Sequence, residues 1–362
     1  MKSAKEDIYF LKQAITLARK AEGFTSPNPL VGALIVKNNK VISCGYHKKA
    51  GLAHAELAAI LKAKQNLKGA SLYINLEPCC HFGKTPPCVD EIIKQGIKRV
   101  IISTLDPNPK VCGKSIKKLK QAGIEVSVGK CKEEAKKVNE VFFKNMKENR
   151  PFVAAKVAQT IDGKIATCAG ISKWITTESS RKFAKSLRDK YDSVLVGINT
   201  VLKDNPKLNG LRKIPYKVII DPHLRIDKKS FIVRNHPEKL IIFTFKKAKP
   251  EKAFKDARIF AIDKKKGKLD LRAMLKILFN LGITSCFVEG GSQTLGNFLD
   301  EKLIDKMHFF ISPKIVGGAN ALTSIGAKGY KTLDDSPYLK EIEIKRIGLD
   351  IFITGYPCYD ER

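Results

Sequence analysis

The feature that most constrains the fold is an alternation of short apolar segments with helical segments in the first half of the chain. Strands are predicted at 71–75, 99–104 and 125–128, and helices at 87–95 and 115–121 lie between them. Strands separated by helices of this length usually pair in parallel, with the helices covering both faces of the sheet. The first half is therefore predicted to be an α/β sandwich with a mostly parallel sheet.

The same reasoning extends to both ends of this region and to the second half of the chain. In the first half, apolar periodicity and turn residues predict helices at 7–21 and 54–63 and a hairpin of 30–36 with 41–45. The second half is predicted to mix strands at 193–197, 217–221, 239–245, 286–289, 306–311, 341–347 and 350–355 with helices at 178–190 and 271–281. Its closing strands are expected to be antiparallel and joined by a hairpin.

A domain boundary is expected near residue 148. The charged helical segment 132–147 ends shortly before Pro151, which cannot continue a helix, and a strand is predicted to begin at Phe152. At roughly 100–200 residues per domain, the chain is long enough for two. We expect one domain at 1–147 and another at 148–362.

The charge balance is unusual, with 67 Lys and Arg against 36 Asp and Glu and a net charge of +31. Such an excess can indicate binding to nucleic acid or to an acidic membrane surface. Only 12 of the basic residues are Arg, however, and the lysines are scattered through the chain. Because Arg is better suited than Lys to bidentate phosphate recognition, we favour a lysine-rich surface without a nucleic-acid or membrane partner.

The N-terminal residues lack the apolar core of a secretory signal, and no apolar run approaches the ~18 residues of a membrane span. Nine cysteines are an odd number, and three of them, Cys79, Cys80 and Cys88, lie close together in the sequence. This arrangement is a poor disulfide framework and a plausible metal cluster in a reducing compartment. We therefore expect a cytoplasmic protein.

One group of residues indicates a catalytic zinc site. His54 opens a predicted helix, and Cys79 and Cys88 lie at the two ends of one loop. One imidazole and two thiolates leave the fourth tetrahedral position to water, whose pKa zinc lowers. Glu56, two residues from His54, is placed to carry protons between that water and a leaving group. An H-x-E segment followed by a Pro-Cys pair is typical of zinc deaminases that act on nucleobases.

Two other interpretations of these residues stay open. Cys80 could be a fourth ligand, which would make the zinc structural, or the cysteines and His54 could be unrelated core residues. The eight residues between Cys79 and Cys88 also differ from the two in the usual nucleobase-deaminase pattern.

The second half of the chain carries weaker signals. An apolar strand runs into Gly290 and Gly291 and then into a helix, which suits a phosphate site but is also what any tight strand-to-helix turn requires. The turn Asp162-Gly163-Lys164 and the single tryptophan, Trp174, carry no chemical signal alone.

The motifs of the first half resemble the deaminase domain of the bifunctional riboflavin-biosynthesis deaminase/reductase. The similar segments are Thr25-Ser26-Pro27-Asn28-Pro29, His54-Ala55-Glu56, the long loop from Pro78-Cys79-Cys80 to Thr85-Pro86-Pro87-Cys88, and Asp106-Pro107-Asn108-Pro109. The resemblance implies that His54, Cys79 and Cys88 bind zinc and that Glu56 is the proton shuttle. It places Asn28, Ala55 and His81 around a pyrimidine ring, and His47, Lys84 and Asn108 toward a ribose phosphate.

The second half resembles the reductase domain of the same family, which has a dihydrofolate-reductase-like fold and uses NADPH. The resemblance implies an NADPH site formed by Ala158, Trp174, Thr200, Asp204, Gly291, Ser292, Gln293, Thr294, Leu295, Gly296 and Asn297. It places Lys156, Ser172, Arg188, Leu208 and Glu289 at the sugar phosphate, with a further phosphate contact from Arg212, whose segment is one residue longer than the family pattern.

Together these resemblances predict a bifunctional enzyme with zinc and NADPH as cofactors and a small phosphorylated pyrimidine as substrate. It would deaminate a diaminopyrimidinone ribosyl phosphate and then reduce the ribosyl group to ribityl. We also expect a homo-oligomer, a dimer or a tetramer. Two alternatives are a zinc nucleic-acid base deaminase with a basic C-terminal binding domain and a non-catalytic, metal-stabilised binding protein.

Overall fold

The computed structural model describes residues 4–80, 87–245, 254, 256–265 and 267–359. The chain divides into two compact units, Met1–Asn149 and Arg150–Arg362. Each unit has its own sheet and its own apolar core. Within the described part of the chain, no helix combines the length and apolar character that crossing a membrane requires.

The N-terminal unit is built around a five-stranded sheet in the order β2-β1-β3-β4-β5. In chain order its elements are α1 (Ala4–Ala18), β1 (Gly32–Lys37), β2 (Lys40–Tyr46), α2 (Ala55–Lys62), β3 (Ser71–Leu76), α3 (Cys88–Lys94), β4 (Arg99–Thr104), α4 (Lys114–Gln121), β5 (Glu125–Val128), α5 (Lys132–Val138) and α6 (Glu140–Glu148).

The pairing of these strands corrects one detail of the prediction. β3, β4 and β5 are parallel, but β1 is antiparallel to both β2 and β3. Half of the four pairings are therefore antiparallel, because the predicted hairpin joins the sheet through β1 instead of standing outside it. The predicted helix 132–147 is also interrupted: the side chain of Asn139 bonds the backbone of Leu30, accepting its N–H and donating to its carbonyl.

Side chains alternate between two apolar layers on either face of this sheet. Leu72 and Ile74 of β3 join the layer under α2, α3 and α4, whereas Tyr73 packs against Phe10 and Leu11 of α1. Because both faces are covered, β3 is buried along its whole length. Its carboxyl end is thereby fixed beneath α2.

Close packing of α2 on β2 fixes the start of that helix. A Cβ on Gly45 would lie 2.4 Å from the backbone nitrogen of Ala59 and 2.5 Å from the carbonyl oxygen of Ala55. Only glycine allows the two backbones to approach so closely. This contact holds the residues on either side of Ala55 in place.

The C-terminal unit contains a nine-stranded sheet in the order β10-β9-β8-β7-β13-β6-β14-β16-β15, and a separate β11–β12 pair. Its elements are β6 (Phe152–Thr160), α7 (Glu178–Arg188), β7 (Ser193–Gly197), α8 (Ile198–Asp204), β8 (Tyr216–Ile220), α9 (Phe231–Arg234), β9 (Leu240–Phe245), β10 (Arg258–Ile262), β11 (Lys264–Lys265), β12 (Lys268–Leu269), α10 (Leu271–Asn280), β13 (Ser285–Val288), α11 (Ser292–Asp300), β14 (Lys306–Ser312), β15 (Tyr338–Ile347) and β16 (Asp350–Cys358).

The strands from β10 to β14 are parallel, and the antiparallel hairpin of β15 and β16 extends the sheet beyond β14. The carboxyl ends of the parallel strands meet at one edge of the sheet, where open α/β sheets bind their ligands. A ligand site is therefore expected at the loops that follow β6, β7, β13 and β14.

The helix α7 covers one face of this sheet through aromatic contacts. Phe183 packs edge-to-face on Phe352, with ring centroids 5.1 Å apart. At the start of the helix, the backbone N–H and hydroxyl of Thr177 donate to one carboxylate oxygen of buried Asp350 (2.8 and 2.6 Å). With its start and its face both fixed, α7 ends at Arg188, whose side chain reaches Glu289, the residue directly after β13.

Candidate active sites in the two units

The three predicted zinc ligands meet in the N-terminal unit. His54 precedes α2, Cys79 follows β3, and Cys88 is the first residue of α3. Sγ of Cys79 and Sγ of Cys88 lie 3.5 and 3.3 Å from Nδ1 of His54, and all three ligand atoms lie within 4.8 Å of one another. Tetrahedral zinc with ordinary Zn–S and Zn–N bonds separates such atoms by roughly 3.6 Å. The donor set and its spacing therefore fit zinc.

The surroundings of the two cysteines favour a thiolate at Cys79. Hydrogen bonds with Cys88 and with His54 lower the pKa of the Cys79 thiol. The backbone N–H of Cys88, at the start of α3, donates to Sγ of Cys79 at 3.4 Å. Thiolate is the form that binds a metal, so the pocket is prepared for an ion.

Glu56 lies in the first turn of α2 and is only 3% exposed. Burial raises its pKa to about 7, and negative charge at Cys79 adds to the shift. A carboxyl group with such a pKa can both accept and release a proton near neutral pH, as general acid–base catalysis requires.

Asn28, His47 and Ala55 lie beside this pocket. Nδ1 of His47 is 3.1 Å from the carbonyl oxygen of Ala53, and Nε2 is 3.1 Å from Nδ2 of Asn28. Burial lowers the pKa of His47, so the neutral ring donates from Nδ1 to the carbonyl and accepts from Asn28 at Nε2. This chain of hydrogen bonds fixes the amide of Asn28. Ala55 is fully buried.

Glu77 is a buried residue of this site that the sequence reasoning missed. One of its carboxylate oxygens accepts the backbone N–H groups of Asp106 (3.3 Å) and Gly113 (3.0 Å). Within the same loop, Asp106 accepts the N–H of Asn108 at 2.8 Å. Burial raises the pKa of Asp106 to about 6, and the charge of Glu77 contributes. The sequence did carry a signal for Glu77: a carboxylate directly after a buried apolar strand needs hydrogen-bond partners.

The structure distinguishes Cys80 from the other two cysteines. Its Sγ lies 3.8 Å from the carbonyl oxygen of Lys110. In the described part of the chain, the group of side chains spaced for a metal ion contains His54, Cys79 and Cys88, without Cys80. This geometry favours the three-ligand interpretation over a closed, structural site. His81 and Lys84 lie outside the described residues.

In the C-terminal unit, Lys156, Arg188 and Glu289 form an ion cluster. The guanidinium of Arg188 donates to both carboxylate oxygens of Glu289, and Nζ of Lys156 lies 3.8 Å from the same carboxylate. Burial alone would raise the pKa of Glu289, but the charge and hydrogen bonds of Arg188, together with Lys156, lower it. Burial lowers the pKa of Lys156. Glu289 is thus held as an anion between two basic groups.

Asp189, which the sequence reasoning missed, organises the loop that carries Leu208 and Arg212. Its buried carboxylate accepts the backbone N–H groups of Arg212 (3.0 Å) and Lys213 (3.2 Å), and a Cβ on Gly210 would lie 2.0 Å from one of its oxygens. Nε of Arg212 is 3.7 Å from the same carboxylate, and that side chain is 55% exposed. Because an acidic group is unfavourable at a helix C-terminus, Asp189 after α7 was a signal of a tertiary partner.

The glycine turn precedes α11 as predicted. A Cβ on Gly290 would lie 2.5 Å from Cβ of Thr294, so that glycine is needed for packing, whereas a Cβ on Gly291 would meet no atom within 4 Å. The backbone N–H groups at the start of α11 are therefore approachable, as an anion site requires. Leu295 packs in the core and Gly296 against Gly326, so these two support the helix.

A cavity of about 210 Å³ opens beside this turn. Thr294 and Asn297 of α11 line one side, and His223, Phe245 and Lys268 line others. Nζ of Lys268 donates to the side-chain oxygen of Asn297 at 2.6 Å. The cavity was not predicted from the sequence, because its walls come from four separate segments.

The other predicted cofactor residues are Ala158 in β6, Thr200 and Asp204 in α8, and Trp174 before α7. Trp174 is 60% exposed, with the guanidinium of Arg181 4.4 Å from its ring centroid. Nζ of Lys173 lies 3.2 Å from the carboxylate of Asp204 and so connects this segment to α8. Ala158 and Thr200 are half-buried, and so is Ser172, which was predicted at the sugar phosphate.

Two family models match the chain. Residues 4–104 match the zinc-binding region of cytidine and deoxycytidylate deaminases, and residues 151–353 match the RibD C-terminal domain. The riboflavin biosynthesis protein RibD of Aquifex aeolicus is 43% identical over 96% of this chain and 97% of that protein. The chain belongs to the RibD family.

Other RibD proteins agree in sequence and in structure. The Escherichia coli RibD is 35% identical over 96% of this chain and 98% of that protein. The solved Thermotoga maritima diaminohydroxyphosphoribosylaminopyrimidine deaminase/5-amino-6-(5-phosphoribosylamino)uracil reductase superposes with a TM-score of 0.89, at 38% identity, over 98% of this chain and 99% of that one. The Acinetobacter baumannii RibD, form 2, gives a TM-score of 0.87 at 33% identity, over 98% and 99% of the two chains.

RibD membership confirms the predicted family, the predicted fold class and the pairing of two activities. The protein is a bifunctional enzyme of riboflavin biosynthesis, with a cytidine-deaminase-like zinc-binding domain followed by a RibD reductase domain. A nucleic-acid base deaminase with a basic C-terminal binding domain is not favoured, since the second half matches a reductase.

Proposed function

We propose that residues 1–147 hydrolytically deaminate 2,5-diamino-6-ribosylamino-4(3H)-pyrimidinone 5′-phosphate, and that residues 148–362 reduce the ribosyl group of the product with NADPH. The observation that carries the proposal is the meeting of His54, Cys79 and Cys88 beside the buried carboxyl of Glu56. The substrate is the one named by the Thermotoga maritima relative.

In the deaminase site, His54, Cys79 and Cys88 hold zinc, which when bound would supply the Lewis-acid activation of water that hydrolytic deamination needs. Glu56 carries protons at its carboxyl group from water to the departing ammonia. Asn28, whose amide is fixed by His47, presents a polar edge to the pyrimidine. The other substrate contacts we propose are Ala55 and His81 at the ring, and His47, Lys84 and Asn108 at the ribose phosphate.

In the reductase site, NADPH when bound would supply the hydride. The three charges of Lys156, Arg188 and Glu289 sum to one positive charge, which suits a substrate that carries a phosphate. Ser172, Leu208 and Arg212 complete the proposed sugar-phosphate contacts. The open N-terminus of α11 and the cavity next to Thr294 support a dinucleotide, held by Ala158, Trp174, Thr200, Asp204 and residues 291–297.

We further infer that the enzyme is a homo-oligomer. The edge strand β15 is exposed along most of its length, and its Ile342 and Ile344 are 54% and 66% exposed. Exposed apolar edge strands tend to pair with a second chain. Light scattering of the wild type and of an Ile344→Lys variant tests this: the variant should have a lower mass, and equal masses would contradict a β15 interface.

A two-part assay tests the catalytic proposal. The full chain should release ammonia from the diaminopyrimidinone phosphate without NADPH and should then consume NADPH, read at 340 nm. A Glu56→Gln variant should do neither with this substrate, but should still oxidise NADPH with the deaminated compound. Absence of NADPH oxidation by wild type with the deaminated compound would disprove the reductase assignment. Normal deamination by Glu56→Gln would disprove the role of Glu56.

A further inference from the structure

The turn Asp162-Gly163-Lys164, which follows β6, has no part in the function proposed above. The carboxylate of Asp162 accepts the hydroxyl of Thr160 (2.5 Å) and the backbone N–H groups of Val316 (3.2 Å) and Gly317 (2.7 Å). These hydrogen bonds, the one from Thr160 first, lower the pKa of Asp162 to about 2. The carboxylate is therefore an ionised anchor for Val316 and Gly317, which lie 154 and 155 residues later in the chain.

The rest of the turn holds the same loop at its other end. The carbonyl of Gly163 accepts the N–H of Ser324 (3.1 Å), and the N–H of Ile165 donates to the carbonyl of Leu322 (2.9 Å). Nζ of Lys164 donates to the carbonyl of Ala321 at 3.3 Å. Residues 313–326, here called the strap, are thus tied at both ends to the turn after β6.

The strap contacts two separate elements of the proposed NADPH site. Nζ of Lys314 donates to the carbonyl oxygen of Trp174 at 2.6 Å. At the other end, the N–H of Gly326 donates to the carbonyl of Ser292 at 3.1 Å, and a Cβ on Gly296 would lie 2.1 Å from the carbonyl oxygen of Gly326. The strap therefore connects the Trp174 segment with the first turns of α11.

We propose that Asp162 is a positioning residue of the reductase site, which fixes the strap and through it the spacing between the Trp174 segment and the start of α11. The inference rests on the proposed NADPH site. Asp162 touches neither of these two elements directly. Its carboxylate fixes Val316 and Gly317, close to Lys314, while the backbones of Gly163 and Ile165 hold the end of the strap that leads to Gly326. Loss of its carboxylate should weaken NADPH binding more than it slows hydride transfer, because binding depends on the spacing of both elements.

The sole tryptophan of the chain gives a direct measurement. NADPH is titrated into the full-length protein while Trp174 emission is recorded, and KM and kcat are measured at 340 nm with the deaminated substrate. We expect Asp162→Ala to raise the Kd and KM for NADPH about tenfold and to change kcat less than about twofold. Asp162→Asn keeps one acceptor oxygen, so its Kd and KM for NADPH should lie between those of the wild type and those of Asp162→Ala. Asp335→Asn is the matched control, because Asp335 accepts the Thr332 hydroxyl (2.7 Å) in an exposed turn.

Lys314→Ala is a second variant that leaves Asp162 intact and removes only the bond to the Trp174 carbonyl. It should change the emission of Trp174 in the free protein and raise the Kd for NADPH. Should Asp162→Ala and Lys314→Ala both bind NADPH within twofold of wild type, the positioning role is wrong while the proposed cofactor stands. Should wild type itself show no quenching and no NADPH oxidation, the proposed reductase function is wrong and this inference with it.

Discussion

Two buried glutamates, one in each unit, have pKa values shifted in opposite directions. Glu56 is 3% exposed, and burial raises its pKa to about 7. The side chain of Glu289 is 8% exposed, yet its pKa is lowered, because Arg188 and Lys156 outweigh the effect of burial. Burial alone therefore does not determine what a carboxyl group does. The charged neighbours decide whether it exchanges protons or stays a fixed anion.

This difference matches the two proposed reactions. Deamination needs a group that accepts and releases protons, and a carboxyl with a pKa near neutrality is suited to that task. Reduction of a sugar phosphate needs groups that bind and orient an anion and its cofactor, and a fixed ion cluster is suited to that. The comparison predicts that neutralising each glutamate will have a different consequence.

The largest effect is expected from Glu56→Gln. Loss of a general acid–base typically costs about 10²–10⁴ in rate, so ammonia release should fall by that factor. Among the described residues no ion pair includes Glu56, whereas Arg188 pairs with Glu289, so thermal stability and bound zinc should be nearly unchanged. Ammonia release and zinc content of the purified variant are the measurements. A loss of zinc or of stability would show that Glu56 is structural, and the comparison would fail.

Glu289→Gln should instead destabilise the protein. Removing one member of a buried ion cluster leaves Arg188 and Lys156 without their anion, at a cost of about 3 kcal/mol. Unfolding in urea, followed by the fluorescence of Trp174 in the same unit, measures this cost, and NADPH oxidation should be lost together with it. Glu238→Gln is the control, because Glu238 is exposed and its replacement should change stability by less than about 0.5 kcal/mol.

The stability that Glu289 contributes, measured by the same urea unfolding, depends on pH. The folded pKa of Glu289 is below its unfolded value of roughly 4.3. Its stabilisation is therefore present above that pH and lost as the pH falls through the folded pKa. Equal acid sensitivity of the wild type and of Glu289→Gln below this pH would argue against a fixed anion.

A smaller effect is expected from His308, a third buried group, which lies beside Lys156 on the neighbouring strand. Burial lowers its pKa to about 3, and Lys306 and Lys190 contribute. The unfolded chain binds this proton below roughly pH 6.5 and the folded chain does not, so stability falls as the pH falls from 6.5 toward 3, by up to about 1.4 kcal/mol per pH unit. Urea unfolding between pH 5 and 6.5 should show a flatter slope for His308→Gln. Identical slopes would contradict the assignment.

The sequence alone predicted the regular elements well where apolar runs are bounded by clear turns. The strands at 99–104, 125–128 and 193–197 have the bounds of β4, β5 and β7. It missed α8, which begins directly after β7 without a break, and the edge strand β10, which is only partly buried. In both cases the local pattern lacks the signal, and pairing or packing with distant segments decides the structure.

The residues of the candidate sites also differ in how far the sequence predicts them. The grouping of His54, Cys79 and Cys88 could be predicted, because these residue types in this order specify a chemistry. The partners of Asp162, Glu77 and Asp189 could not, because each carboxylate binds backbone N–H groups that come from later loops. Hydrogen bonds of this kind depend on the fold: the sequence can indicate that Glu77 and Asp189 need a partner, but not which loop supplies it.

The smallest expected effect concerns Cys80, and it tests whether the deaminase site is open. Sγ of Cys80 contacts the carbonyl of Lys110 and not the His54–Cys79–Cys88 group. Cys80→Ser should therefore keep zinc and should change ammonia release less than about twofold, whereas Cys88→Ser, the matched control, should lose zinc, since three ligands are the minimum of a catalytic site. Loss of zinc from Cys80→Ser would mean four protein ligands and no position for water. Glu56 would then have no water from which to take a proton, and the contrast with Glu289 would reflect structure alone.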